Sequence, residues 1–440
     1  MFFRRPLKND RNLIMNKNWS KTTLGSLGKI SMCKRILKEE TSESGDIPFY
    51  KISTFGGIAD AFISKDIFEK YRETYSYPKI GDILISAAGT LGKTVIFDGK
   101  PSYFQDSNIV WVDNDEKTVI NSFLYYFYQT NPWIKTTGST INRLYNNDIK
   151  NLEISFPNLI KQQSIASVLS ALDKKIALNK QINACLEEMA KTLYDYWFVQ
   201  FDFPDANGKP YKSSGGEMVF DETLKREIPK GWEVKQISHW IKADKSGDWG
   251  KEQQEGSYTV KVNCVRGADI NAINLQGNIE TPIRFILAKN EHKLLSPFDF
   301  VVEISGGSPT QSTGRLAPIS QYVLERFDLP LICSNFCKAI SLKDTSYFYQ
   351  FAFMWSDIYK NNILFGWEGK TSGIKNLLFD NFVNGYFECF PPKEIAEKFF
   401  KIIDKNHQEQ QLLLKQNHQL TQLRDFLLPM LMNGQVSVTE

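Results

Sequence analysis

The chain reads as an α+β protein of two tandem mixed α/β modules, each followed by a long helix, with the two helices pairing antiparallel as a coiled coil. Three observations predict this. A set of motifs occurs twice in the same order, two stretches of about 38 residues carry sustained helical periodicity, and the remaining regions are short apolar or alternating runs broken by Gly, Pro and Asn.

The duplication is visible by subtraction. "NWSKTTLGSLGKI" from Asn18 answers "GWEVKQISHWIKA" from Gly231, so Trp19 pairs with Trp232 at an offset of 213. "YKIS" from Tyr50 answers "VKVN" from Val260 (210), and Asp82 of "DILIS" answers Asp299 of "DFVVEIS" (217). "SNIVWV" from Ser107 answers "SNFCKAI" from Ser334 (227), Gly138 answers Gly369 (231), and Phe156-Pro157 answers Phe390-Pro391 (234). The offset mostly grows, as expected if one module was copied and the second copy then gained residues in its loops. The alternative is two unrelated α/β domains sharing common patterns.

In chain order, residues 1–15 have no counterpart in the second half and are either a frayed extension or upstream of a start at Met15. Residues 16–157 form the first module, with strands expected at "GDILIS" (Gly81), "KTVIF" (Lys93) and "SNIVWV" (Ser107), and a helix at "NSFLYYFYQTN" (Asn121). Residues 158–198 form the first long helix: Ile165, Leu169, Leu172, Ile176, Ile182, Leu186, Met189 and Leu193 recur mostly every three or four residues, interrupted near Asn179 and Asn183. Residues 199–230 are a connector, marked by "FDFPDANGKPYKSSGG". The second module, 231–391, has strands expected at "FDFVVEIS" (Phe298) and "FCKAISL" (Phe336) and an aromatic helix from Ser346. The aromatics of both such helices fall on all faces and lack basic flanks, which favours core over base stacking.

The second long helix occupies 392–434, and 435–440 form a tail. Its residues Ile395, Phe399, Ile402, Asn406, Glu409, Leu413, Gln416, Leu420, Leu423, Leu427 and Met430 step alternately by four and three. Such a seam needs a partner helix, and the economical one is the other rod, antiparallel, with the modules at opposite ends and Asn406 and Gln416 setting register. The alternative is that each helix packs only on its own module.

Composition bounds the function. The 440 residues are 42% apolar and 13% aromatic, enough for ordinary cores, and no apolar run approaches 18 residues. A soluble, cytoplasmic protein with no membrane partner is expected. Six scattered cysteines without Cys-x-x-Cys read as buried, reduced thiols. A net charge of +3, from 53 basic and 50 acidic residues, is too balanced for a chain that simply coats phosphate.

"AAGTLGKT" from Ala87 nearly fits a P-loop, with Ala where the first Gly belongs. A phosphate cradle must feed a helix N-terminus, yet Lys93-Thr94 runs into "VIFDGKPSYF", and the matching loop "ISGGSPTQSTGR" from Ile304 has no Gly-Lys-Thr. An NTPase is therefore the weakest functional class. The four histidines are scattered, no metal set or catalytic triad repeats, and a duplicated module without duplicated catalytic residues is a binder. What the loops share is small residues, hydroxyls and a closing Lys or Arg, which suits contact with a nucleic-acid backbone or base edge.

The chain resembles the specificity subunits of type I restriction-modification systems over residues 16–438. The resemblance rests on the duplicated modules, on "GDILISAAGTLGK", on "FPNLIKQQSIASVLSALDKKIALNKQI" from Phe156, on "YWFVQFDFPDANGKPYKSSGG" from Tyr196, on "REIPKGWEV" from Arg226 and on "LRDFLLPMLMNGQV" from Leu423. The second copy departs from the pattern: it lacks the Gln pair after Phe-Pro, and its glycine loop is longer. The resemblance implies two target-recognition domains, each reading half of a split double-stranded DNA sequence, with the helix pair fixing the gap. It implies no catalysis and no cofactor on this chain. Two adenine-methyltransferase subunits would bind S-adenosylmethionine, and restriction subunits would use ATP and magnesium. A two-headed coiled-coil scaffold without DNA specificity is the rival reading. Since Arg and Lys suit guanine, Asn and Gln suit adenine and hydroxyls suit either, the candidate readers are Lys51, Ser53, Ser86, Thr90, Lys93, Thr140, Asn142 and Arg143 in the first module. In the second they are Lys261, Asn263, Arg266, Ser308, Gln311, Ser312, Arg315, Lys370, Thr371 and Lys375.

Overall fold

The computed structural model describes residues 19–133, 143–274, 279–306, 310–371 and 373–438, with the side chains of Lys370 and Thr371 left out. The chain forms two units, residues 1–175 with 420–440, and residues 176–419.

In the first unit, Ser20–Thr23 pairs antiparallel with Glu153–Phe156. A four-stranded antiparallel sheet runs in the order Gly28–Ser31, Ile109–Asn114, Ile83–Ser86, Thr94–Ile96. A three-stranded sheet places Ile47–Tyr50 between antiparallel Phe62–Ile63 and parallel Tyr103–Phe104. Alternation along a strand explains why Ile83, Leu84 and Ile85 of "ILIS" are all apolar. Ile83 and Ile85 enter one core with Phe123 and Leu169, whereas Leu84 enters another with Phe49, Tyr103 and Trp111. The helix Asn121–Gln129 buries Phe123, Leu124, Tyr126 and Tyr128, so its aromatics are core.

The second unit repeats this plan. Glu233–Gln236 pairs with Phe387–Phe390, and the four-stranded order is Ile241–Ser246, Cys337–Leu342, Asp299–Glu303, Leu316–Ile319. Tyr258–Val265 lies between antiparallel Ile283–Leu287 and parallel Leu331–Cys333. Phe300 and Val302 enter one core and Val301 another. Asp82 and Asp299 play one role, each accepting a 2.8 Å bond from the backbone N–H three residues earlier, of Lys79 and Ser296.

Equivalent hydrogen bonds correct the offsets. The N–H of Gln105 donates to the Tyr50 carbonyl, and that of Ser334 to Val265, so Tyr50 matches Val265 (215 apart) rather than Val260. Ser86 lies opposite Ile109 and Glu303 opposite Cys337, which makes the next offset 228 rather than 227. Chance likeness of "YKIS" and "VKVN" obscured the rise of the offset from 213 through 215 to 217. Gly138 lies outside the described residues.

The rods are the helices Leu159–Tyr194, extended by a π-turn at Asp195–Val199, and Lys393–Met432. They pair antiparallel within each unit. In the first, Arg424 reaches Asp173 at 3.1 Å, and Tyr126 donates to the other oxygen of Asp173 at 2.8 Å. In the second, the Asn179 amide donates to Asn417 at 3.0 Å and to Gln416 at 3.4 Å, while Asn183 and Gln410 each donate to the other's carbonyl. The expected seam holds in part: Ile165, Leu169 and Ile176 on the first rod and Ile395, Phe399 and Leu413 on the second are buried, and Gln416 meets Asn179, but elsewhere the seam is displaced. Asn179 and Asn183 are the seam rather than interruptions of it, and Ile182 and Met189 are exposed. On the second rod Ile403, Gln410 and Asn417 are buried, while Ile402, Glu409 and Leu423 face out. A polar seam misleads a reading that follows apolar residues alone.

The two rods leave their modules differently. Gln162 is fully buried, donating to the carbonyls of Thr118 and Pro157 at 2.9 Å and accepting from the Ile120 N–H at 3.0 Å. After the second Phe-Pro, the Tyr347 hydroxyl donates to the Pro391 carbonyl instead. Gln162→Ala should therefore cost about 1–3 kcal/mol by leaving backbone groups unpaired, measurable by denaturant unfolding. The connector is folded, with Phe201 and Phe203 packed on Trp232 and a hairpin of Met218–Asp221 with Arg226–Pro229.

The second rod also carries a polar ladder onto its module. Asp404 accepts from Tyr349 and Tyr322, the His407 ring bonds Ser320, and Gln411 accepts from Arg326. Burial, and secondarily Arg326, lowers the His407 pKa to about 4. The unfolded chain binds this proton below about pH 6.5 and the folded chain does not. Stability should therefore fall as pH drops from about 6.5 to 4, by about 1–3 kcal/mol, and His407→Gln should flatten that part of the pH profile. Five cysteines are buried as expected, with Cys33, Cys264 and Cys337 pushed up to about 12 by burial, but Cys185 is exposed on the first rod.

Candidate nucleic-acid interface

In the first unit, loops from all parts of the module converge at the end of Ile83–Ser86. Ser86 is buried; its hydroxyl donates to the Thr90 carbonyl and accepts from the Lys93 N–H at 2.9 Å. This closes a tight loop in which Gly92 has φ +75°, with the position of a Cβ 2.2 Å from the Trp133 ring, so only glycine fits. Lys93 and Thr94 continue into the antiparallel strand Thr94–Ile96, not a helix, so the phosphate-cradle geometry is absent.

Lys93 Nζ donates to the Phe55 carbonyl at 2.5 Å, tying in the loop that carries Lys51 and Ser53. Lys51 pairs with Asp60 at 2.8 Å, Ser53 is exposed, and Thr90 is exposed beside them. Arg143 bridges to Ala88 and donates through Nη2 to the Ser107 carbonyl and hydroxyl, both at 3.0 Å. Ser107 itself has φ +51°, an uncommon conformation for a side-chain-bearing residue. Thr140 and Asn142 lie outside the described residues. Ser53, Ser86, Thr90, Lys93 and Arg143 thus belong to one loop cluster. Gln105, whose side chain accepts from the Ile52 N–H at 2.8 Å, is a member that sequence reasoning missed.

The second unit builds the same cluster with different chemistry. The Ser86 N–H donates to the Lys93 carbonyl, and the Glu303 N–H donates likewise to Arg315, so Ser86 matches Glu303 and Lys93 matches Arg315. Gly314, with φ +100°, stands where Gly92 stands in the first copy. The Arg315 guanidinium forks onto Glu303 at 2.8 and 2.7 Å, a pair whose side chains are only 20% and 7% exposed. That contact holds the guanidinium pKa above its usual value. Glu368 accepts from the Thr313 N–H at 2.7 Å and pairs with Lys375 at 3.3 Å. Ser312 is buried, with its carbonyl accepting from Tyr359, while Gln311 is exposed.

Arg266 is held by Asp269 through two bonds of 2.8–2.9 Å. By the hydrogen-bond equivalence it is the counterpart of Lys51. Lys261 and Asn263 sit in mid-strand, Lys261 exposed and Asn263 donating to Thr281 at 2.8 Å. Lys370 and Thr371 belong to the strand Glu368–Thr371, and Ser308 lies outside the described residues. The neutralising carboxylates Asp269, Glu303 and Glu368 were not foreseen. Among the described residues, no group of three or more His, Cys, Asp or Glu could hold a metal ion, and no helix is long and apolar enough to cross a membrane.

Comparison with known proteins agrees with this geometry. The sequence profile of the type I restriction modification DNA specificity domain matches residues 16–188. A Haemophilus influenzae protein described as a type I restriction enzyme specificity subunit is 54% identical over 177 residues, which are 40% of this chain and 45% of that relative's length. The type I restriction enzyme MjaIX specificity subunit of Methanocaldococcus jannaschii is 27% identical over 96% of this chain and 95% of its own. The crystal structure of a type I restriction-modification S subunit from M. genitalium has the same fold, with a TM-score of 0.60 at 18% identity over 97% of this chain and 98% of that one. A duplicated loop cluster, a domain profile matching residues 16–188 and a relative aligned along nearly the whole chain lead to one conclusion: the chain is similar to type I restriction enzyme specificity subunits, and residues 16–188 carry the match to their DNA specificity domain.

Proposed function

We propose that this chain reads a bipartite double-stranded DNA target, one half-site per module, as a non-catalytic targeting subunit. The observation that carries the reading is the repeated loop cluster. One framework of sheets presents chemically different loops twice, Ser86 and Lys93 in one copy and Glu303 and Arg315 in the other, as two readers of different sequences require. The candidate readers named from sequence form the proposed contact set, except that Ser86 and Ser312 are buried and act by shaping their loops rather than by touching DNA. Near-neutral charge fits a chain whose partners supply much of the phosphate contact.

The gap between half-sites would be set by the antiparallel rods, since each rod contributes to both units. Adenine-methyltransferase subunits would dock on the rods' outer faces, with restriction subunits joining the assembly. Exposed Leu178, Ile182 and Met189 on the first rod, and Leu412, Leu423 and Phe426 on the second, support this. Ile182→Glu with Met189→Glu should reduce capture of the methyltransferase subunit at least tenfold without lowering the melting temperature of the isolated chain. Unchanged capture would remove the first rod from the interface.

The test of function is co-expression with the methyltransferase subunit in a methylation-free host, followed by genome-wide mapping of N6-methyladenine. A split motif with a fixed gap is expected. A soluble complex that neither modifies nor binds DNA selectively would favour the scaffold reading.

A further inference from the structure

The loop from Lys51 to Asp60 in the first unit is pinned along its length. Thr54 N–H donates to the Lys51 carbonyl at 3.0 Å, the Lys51 N–H donates to the Thr54 hydroxyl at 3.1 Å, and the Lys51–Asp60 ion pair closes the base. Phe55 is buried, its carbonyl takes Lys93 Nζ, and the Ile52 N–H is held by Gln105. From this braced loop Ile58 projects with 92% of its surface exposed, more than any other large apolar residue described. A single exposed apolar residue is ordinary on a protein surface. One held out by a loop anchored to a cluster of hydroxyls and cations is placed for contact.

A second observation locates the same loop. The Phe49 N–H donates to the Ala61 carbonyl and the Cys264 N–H donates to Pro282, so these bonds bracket equivalent loops. The bracketed span is 11 residues in the first unit and 17 in the second. The two copies keep their sheets and diverge here, as a segment that distinguishes two half-sites would.

An isoleucine can neither donate nor accept a hydrogen bond. Among base edges in the major groove, the apolar group it can recognise is the 5-methyl of thymine. Resting on the DNA-reading function proposed above, we propose that Ile58 is a specificity-determining residue of the first module, packing against a thymine methyl in its half-site.

The experiment uses the full chain in complex with its methyltransferase subunit, and duplexes carrying the mapped split motif. Each thymine of the first half-site and its flanks is replaced in turn by deoxyuridine, which removes only the methyl. Burying one such group is worth about a fourfold change in affinity. At one position, deoxyuridine should weaken wild-type binding about fourfold and leave Ile58→Ala binding unchanged, with the second half-site unaffected. If no thymine is sensitive, or if Ile58→Ala keeps the same sensitivity, the assignment falls while DNA reading stands. If wild type shows no preference for the motif over unrelated duplex, the DNA-reading function itself fails.

Discussion

Arg315→Ala is expected to destabilise the second unit by about 3–5 kcal/mol, because it strands the buried carboxylate of Glu303 without its partner. For a unit of this size that lowers the melting temperature by roughly 6–20 °C. Arg315→Lys should recover part of the loss, since an ammonium keeps the charge and loses the fork. Lys93→Ala, at the equivalent position, should cost only about 1 kcal/mol, since its ammonium meets a backbone carbonyl rather than a buried carboxylate. The pair also separates two roles. If Arg315 braces the loop, its loss weakens recognition of the whole second half-site together with stability. If it reads a base, selection relaxes at one position and the melting temperature hardly moves.

The second large effect concerns the rods. Inserting one heptad into each, between Ile176 and Asn179 on the first rod and at the facing level near Asn417 on the second, preserves the seam and lengthens the pair by about 10 Å. At about 3.4 Å per base pair, the gap in the methylated motif should grow by about three base pairs, with both half-sites unchanged. An unchanged gap in a modified genome would end the proposal that the rods set the spacing. A heptad in one rod alone would instead slide Asn179 away from Asn417 and should lower stability.

Much of the architecture was legible because its signals are periodic. "DILIS" and "DFVVEIS" read as strands since their alternate residues feed two cores, and both rods read as helices. The seam was half misread for a physical reason: Asn179, Asn183, Gln410 and Asn417 satisfy one another across the helices, so burial there does not follow hydrophobicity. The loop cluster was found through its small residues, hydroxyls and closing cation. What sequence could not reveal was neutralisation, because Glu303 and Glu368 meet Arg315 and Lys375 only after the chain folds. Ile58 escaped for a related reason, since an apolar residue in a glycine-rich loop reads as a turn filler until its exposure is seen.

The first unit is assembled from distant parts of the chain. Leu431 and Met432 lie in the same core as Ile165 and Leu169, whereas residues 176–419 form the other unit whole. During synthesis the inserted unit can therefore finish folding while its predecessor waits with an open core for the last turns of the second rod. A nascent chain that has emerged through residue 419 and no further would hold all of the second unit and an incomplete first one. Completion of the first module is thereby deferred until the last turns of the second rod, with Leu431 and Met432, have been made.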